Sequence, residues 1–180
     1  AQIVPELLPL IRSDDRTQAL RSVETIGAIG PAPNAAVPVI LERLAWGEDD
    51  LPAKTAGPAL ARLGSAVAEP LRKALRSTDY VMRSQAVKVM FHFQGRSQFA
   101  FDELEAMLED KDATLRQQAL HAAKIALDPP SDDVVLRIDP GVRTRLRSLF
   151  KRASEDEDES VRSLAEVYLR GLVHPPAGDR

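Results

Sequence analysis

The sequence of 180 residues contains no cysteine, which excludes a disulfide framework, a thiolate metal site and a cysteine nucleophile. Aromatic residues make up 4% of it, so a core has to be built from Ala, Leu and Val. No apolar run approaches the roughly 18 residues of a membrane-spanning helix. The opening AQIVPELLPLIRS lacks the basic start and long apolar stretch of a signal peptide. There is no Gly-rich phosphate loop and no serine in a nucleophile-elbow context. The three histidines, His92, His121 and His174, include no pair at the i,i+4 spacing of a helical metal site, so surface or helix-packing roles are expected of them. A formal net charge of −3 gives no overall attraction to nucleic acid or an anionic membrane, although local patches can still be basic.

What the chain does contain is a repeat, and 44% hydrophobic residues with which to bury it. In residues 112–126, DATLRQQALHAAKIA, the anchor Ala119 is followed by Ala123 and Ala126 at +4 and +7, and preceded by Arg116 at −3 and Asp112 at −7. The pattern fits four other anchors: Ala19 with Arg16, Val23 and Ile26; Ala56 with Leu60 and Leu63; Ala86 with Asp79, Arg83, Met90 and Phe93; and Ala165 with Asp158, Arg162, Leu169 and Leu172. Positions +4 and +7 share one helix face, so each copy reads as an amphipathic helix with a small residue where a neighbour approaches closely. Spacings of 30 to 46 residues between anchors are those of helical-pair solenoids.

Taken in order, residues 3–12 read as a capping helix, the second of a pair whose first is missing; with Ala1 rather than Met at the start, a segment of a longer protein is expected. Asp14 or Asp15 opens the next helix, and Gly27 and Gly30 end it. Trp46 is expected in the core at a repeat junction. The second repeat has an acidic opening at Glu48, Asp49 and Asp50, carries Ala53 in place of the Arg, and contains Gly57 and Pro58, which predict a kink or a late helix start. The third and fourth repeats open at Asp79 and Asp112. Residues 128–141 form an insertion longer than ordinary helix connections, read as a partner-binding arm or as plain packing. The last repeat supplies the helix over residues 160–172 and a frayed tail follows, so that residues 1–174 read as a single solenoid and 175–180 as tail.

The anchor Ala, the preceding Asp and Arg, the apolar +4 and +7 positions and the closing Gly27 and Gly64 resemble HEAT repeats, of the short bacterial type found in phycobilisome-lyase-like HEAT proteins. The resemblance covers roughly residues 3–172. It implies an all-α fold, a right-handed superhelical α-solenoid of about five antiparallel helix pairs. It also implies a structural ladder between neighbouring repeats from Asp79 with Arg83, Asp112 with Arg116, and Asp158 with Arg162. Physics alone makes the same pairs i,i+4 contacts of a few tenths of a kcal/mol. The His-Glu pairs of the di-iron hydroxylases built on this repeat are not present, which disfavours that enzyme.

The sharpest charge feature is Arg143, Arg145, Arg147, Lys151 and Arg152, with Arg143, Arg147 and Lys151 on one helix face and Leu146, Leu149 and Phe150 on another. The stripe Arg143, Arg147 and Lys151, with Arg72, Lys73 and Arg76 two repeats earlier, forms the candidate partner surface, a basic groove of the kind along which HEAT-like DNA glycosylases bind duplex DNA. The acidic run 155–159 lacks the spaced ligands and turn Gly of a calcium loop and reads as a solvated connection. The expected function is a non-catalytic scaffold that binds another protein or peptide, without catalytic residues, cofactor or metal. Nucleic acid and membranes are disfavoured as partners, and the cytoplasm is favoured with the compartment left open. The alternative is a nucleic-acid-binding or HEAT-like enzyme module, glycosylase-like or lyase-like.

Overall fold

Short loops carrying aspartates start four of the helices of this protein. In the computed structural model, Asp15 Oδ1 accepts from the Gln18 amide and Asp79 Oδ1 from the Met82 amide, at 3.2 and 3.1 Å. Each satisfies one of the orphan donors that a helix start leaves open. The structure describes residues 3–30, 35–46, 51–125 and 140–173. Their regular structure is entirely helical, with ten α-helices, and no described helix is long and apolar enough to cross a membrane. The protein is an α-solenoid whose chain divides into two compact units, Ala1–Phe93 and Gln94–Arg180.

The first unit holds α1 (Val4–Ile11), α2 (Arg16–Ile29), α3 (Ala36–Leu44), α4 (Ala53–Arg62), α5 (Ala68–Leu75) and α6 (Tyr80–Met90). α2 packs on α4 and α4 on α6 in one layer; α1, α3 and α5 follow one another in the second. The anchors Ala19, Ala56 and Ala86 are buried, and Val23, Ile26, Leu60, Leu63, Met90 and Phe93 form the core with them. Small anchors let the first layer close up, because a helix approaches another only as far as its contact side chains allow.

Three expectations are corrected here. Gly27 does not end its helix: α2 continues to Ile29 and Gly30, at φ 83°, makes the turn. Gly27 instead lies against α4, where a methyl group would stand 2.7 Å from both Cα and Cβ of Ala59. Of the kink or late start expected around Gly57 and Pro58, the late start is not found: α4 begins at Ala53 and runs through Pro58. Gly57 leaves the space that the His92 ring fills, since a Cβ there would meet His92 Cδ2 at 2.0 Å. Trp46 is not core but 55% exposed, with the Arg43 guanidinium 4.7 Å from its ring centre. The acidic opening at Glu48, Asp49 and Asp50 lies outside the described residues.

The second unit begins with a 3-10 segment, Gln94–Ala100, and holds α7 (Phe101–Ala106), a 3-10 turn (Met107–Glu109), α8 (Ala113–Ile125), α9 (Pro140–Ala153) and α10 (Glu159–Val173). α8 packs against α10, and α9 against α10. Ala119 and Ala165 are buried with Leu115, Leu120, Leu146, Leu149, Phe150 and Val161. Phe150 stacks obliquely on Tyr168 at 5.4 Å, and Tyr168 Oη lies 2.6 Å from His121 Nδ1, which fastens α8 to α10. Ala126, most of the 128–141 insertion and the tail with His174 fall outside the described residues.

Candidate binding surface

Three arginines of the repeat pattern, Arg83, Arg116 and Arg162, serve the helix openings. Residue −2 from each capping aspartate accepts the aspartate's own amide: Ser13 Oγ for Asp15, Ser77 Oγ for Asp79, Asp110 Oδ1 for Asp112 and Asp156 Oδ1 for Asp158. Asp112 and Asp158 then take the amides of Leu115 and Val161. Arg83, four residues after its cap, donates to the carbonyls of Ser77 and Thr78 at 3.0 Å. Arg162 does the same with Asp156 and Glu157 at 2.7 and 2.8 Å. The first repeat carries Ala19 at that place, and there Arg43 reaches over from α3, 2% exposed, to the Ile11 and Ser13 carbonyls at 2.6 Å each. A buried guanidinium is tolerated because carbonyl acceptors surround it.

Arg116 goes further. It donates to the Asp110 carbonyl at 2.8 Å and forks onto both oxygens of Asp156, Nε–Oδ2 at 2.9 Å and Nη2–Oδ1 at 2.7 Å. Asp156 lies in the opening loop of the following repeat, so this bidentate pair ties two successive repeats. The hydrogen bond to Asp156 raises the pKa of Arg116 above its already high ordinary value. For Asp156, burial pushes the carboxyl up, yet the hydrogen bonds from Arg116 and from the Asp158 amide outweigh it and the net shift is downward.

On α9 the cations divide by face. Arg145 lies against α7, bonded to Asp102 and at 3.0 Å to Glu105, and Arg152 reaches Glu105 at 3.0 Å. The Arg145 hydrogen bond, joined by that of Arg152, holds the Glu105 carboxyl below the usual glutamate range against the opposing effect of burial. Arg143, Arg147 and Lys151 are exposed, and among the described residues none of the three has an ion-pair partner. Arg143 and Arg147, with Thr144, line a cleft of about 220 Å³ against Leu172 of α10. In the first unit, Lys73 is exposed on α5 and Arg76 is exposed at its C-terminal cap, while Arg72 is half-buried and 3.3 Å from Glu69.

The structure thus places the three α9 cations together along one line and the three α5 cations in the other unit. Asp102 and Glu105 were not singled out from the sequence, nor were Leu172 as a cleft wall or Asp156 as the acceptor of Arg116. Asp102 and Glu105 share one face of α7 and Arg145 and Arg152 one face of α9, but which helix faces meet is set by tertiary packing and not by either local pattern. Among the described residues, no group of three His, Cys, Asp or Glu side chains stands together as a metal site would require.

No family profile and no curated protein matches the sequence. Solved structures do match in fold. The chain is similar to an archaeal HEAT-like repeats protein from Thermococcus onnurineus NA1, with a TM-score of 0.50 and 12% identity over 96% of this chain and 73% of that one. It is also similar to two engineered proteins. One gives a TM-score of 0.52 at 16% identity, covering 94% of this chain and 78% of the other. The second gives 0.53 at 17% identity, covering 95% and 48%. At such identities the likeness is one of fold, that of the helical repeat proteins.

Proposed function

We propose that this chain is a non-catalytic interaction module of the HEAT-repeat kind, akin to the phycobilisome-lyase-like bacterial type, which holds a protein or peptide partner against exposed helix faces, that of α9 first among them. The observation that carries this reading is the division of the arginines. Arg43, Arg83, Arg116 and Arg162 are committed to loop carbonyls, and Arg145 and Arg152 to α7. Arg143, Arg147 and Lys151, by contrast, stand exposed in a line that no described part of the fold uses. Long cationic side chains left exposed in a row without an internal role are the raw material of a recognition surface. The ladder residues Asp79, Asp112, Asp158, Arg83, Arg116 and Arg162 have a structural role in this reading: they fix the helix openings, and Arg116 also ties its repeat to the next through Asp156.

Selection of a random-peptide library on the immobilised folded chain tests the proposal. It should yield convergent sequences whose binding protects backbone amides of α3, α5 or α9 from hydrogen exchange. If binders fail to converge, or bind the urea-unfolded chain equally well, the scaffold reading falls. Salt-dependent retention on duplex DNA, lost in Arg147→Glu and Lys151→Glu, transfers the surface to nucleic acid instead.

A further inference from the structure

Resting on the scaffold reading, we infer that the exposed α9 stripe takes an acidic amphipathic helix, with carboxylates one turn apart on Arg143 and Arg147 and an apolar side chain in the cleft beside Leu172. The occupant follows from three observations. First, successive residues of the stripe stand four apart, about 6 Å along the helix axis, which is the spacing of glutamates at i and i+4 on a partner helix lying alongside. Second, the site is not purely polar: Leu172 forms a wall of the 220 Å³ cleft with Arg143, Thr144 and Arg147, room for one apolar side chain flanked by charges. Third, α9 already receives an acidic helix on its other face, where Asp102 and Glu105 of α7 meet Arg145 and Arg152. The free stripe presents a second row of cations to the same kind of ligand. Duplex DNA fits less well, because exposed Glu155, Glu157 and Glu159 follow Lys151 and would repel a phosphate backbone continuing past it. The same carboxylates limit the acidic face of the ligand to about two turns of helix.

Fluorescence anisotropy on the full chain tests this with a capped helical peptide carrying glutamates at i, i+4 and i+8 beside a leucine, and with its lysine counterpart. Binding of the glutamate peptide at low salt should weaken roughly tenfold or more in Arg143→Glu/Arg147→Glu, and the lysine peptide should gain affinity for that variant. Lys54→Glu, an exposed cation of the first unit, should leave binding unchanged. All three substituted positions are exposed, so melting curves matching the parent protein are expected for the variants. Absent binding of the glutamate peptide, equal binding by the double variant, or tighter retention of duplex DNA that the same double variant abolishes would each overturn the inference. Convergent library peptides that lack acidic residues and ignore Arg143→Glu/Arg147→Glu would overturn it while leaving the scaffold reading standing.

Discussion

A single hydrogen in place of a methyl group sets how closely α2 and α4 pack. Gly27 faces the backbone of Ala59, and a Cβ at 2.7 Å from Ala59 Cα has nowhere to go unless the helices part. Gly27→Ala is therefore expected to destabilise the protein by about 1–3 kcal/mol through overpacking, even though alanine favours the helix by up to about 1 kcal/mol. Gly171, in α10, has nothing within 4 Å of its missing Cβ, and Gly171→Ala should stabilise by about 0.5–1 kcal/mol. Urea midpoints measure both, and a midpoint unchanged or raised by Gly27→Ala would show that the α2–α4 approach is not limiting. The two glycines that follow the repeat anchors at +8 look alike in the sequence. Gly64 does end a helix, at φ 74°, whereas Gly27 is a packing residue, and the difference lies in α4, which a local pattern does not contain. Trp46 fails to be legible for a similar reason. Its large apolar ring pointed inward on composition alone, but the buried place is taken by Arg43, which has carbonyls to satisfy there.

At the scale of an element, the repeating piece is a loop and a helix start rather than a helix alone. The aspartates were legible as caps, and Asp15, Asp79, Asp112 and Asp158 all cap. The destination of each arginine was not, because it depends on which carbonyls the preceding loop turns inward and, for Arg116, on a carboxylate in the next repeat. Arg116 and Asp156 have side chains only 6% and 12% exposed, and removing one partner of a buried pair strands the other. Arg116→Ala is accordingly expected to cost about 3–5 kcal/mol. Arg12→Ala, at a 2.7 Å pair with Glu42 whose side chains are each 52% exposed, should cost at most about 1 kcal/mol. Chemical denaturation of the two variants separates these cases; equal, small losses would mean that the Asp156 fork contributes no more than a surface pair. Ala119→Leu tests the other half of the element. With Ala119 1% exposed between helices, the added carbons are expected to lower stability by about 1–3 kcal/mol, and an unchanged melting curve would contradict the stacked-helix core.

Over the whole molecule, the fold was legible because it rests on periodicity: five small anchors recur at solenoid spacing, and all five are buried. The response of stability to pH was not legible, since it depends on which side chains tertiary packing brings together. His92 sits half-buried over Gly57, and burial holds its pKa below the ordinary 6.5. Once unfolded, the imidazole recovers its ordinary affinity for a proton. Below about pH 6.5 the unfolded chain binds a proton that the folded chain refuses, and stability declines until the lowered folded pKa is passed. The carboxylates act in a lower window. Glu105 is held below 4.5 first by its bond from Arg145, Asp156 below 3.8 by Arg116 and the Asp158 amide despite burial, and Asp158 below 3.8 first by the Val161 amide. Their contribution is complete above those ordinary values and disappears as the pH falls through the depressed ones. A plot of urea midpoint against pH should therefore fall in two stages, the first starting near pH 6.5 and the second below about pH 4.5. His92→Gln should abolish the first stage and spare the second, while Arg116→Ala should shrink the second by the share of Asp156, leave the shares of Glu105 and Asp158, and spare the first. A midpoint that stays level from pH 7 to pH 5 in the parent protein would show that His92 titrates alike in the folded and unfolded chain, and the Gly57 notch would then have to be more open to water than its geometry indicates.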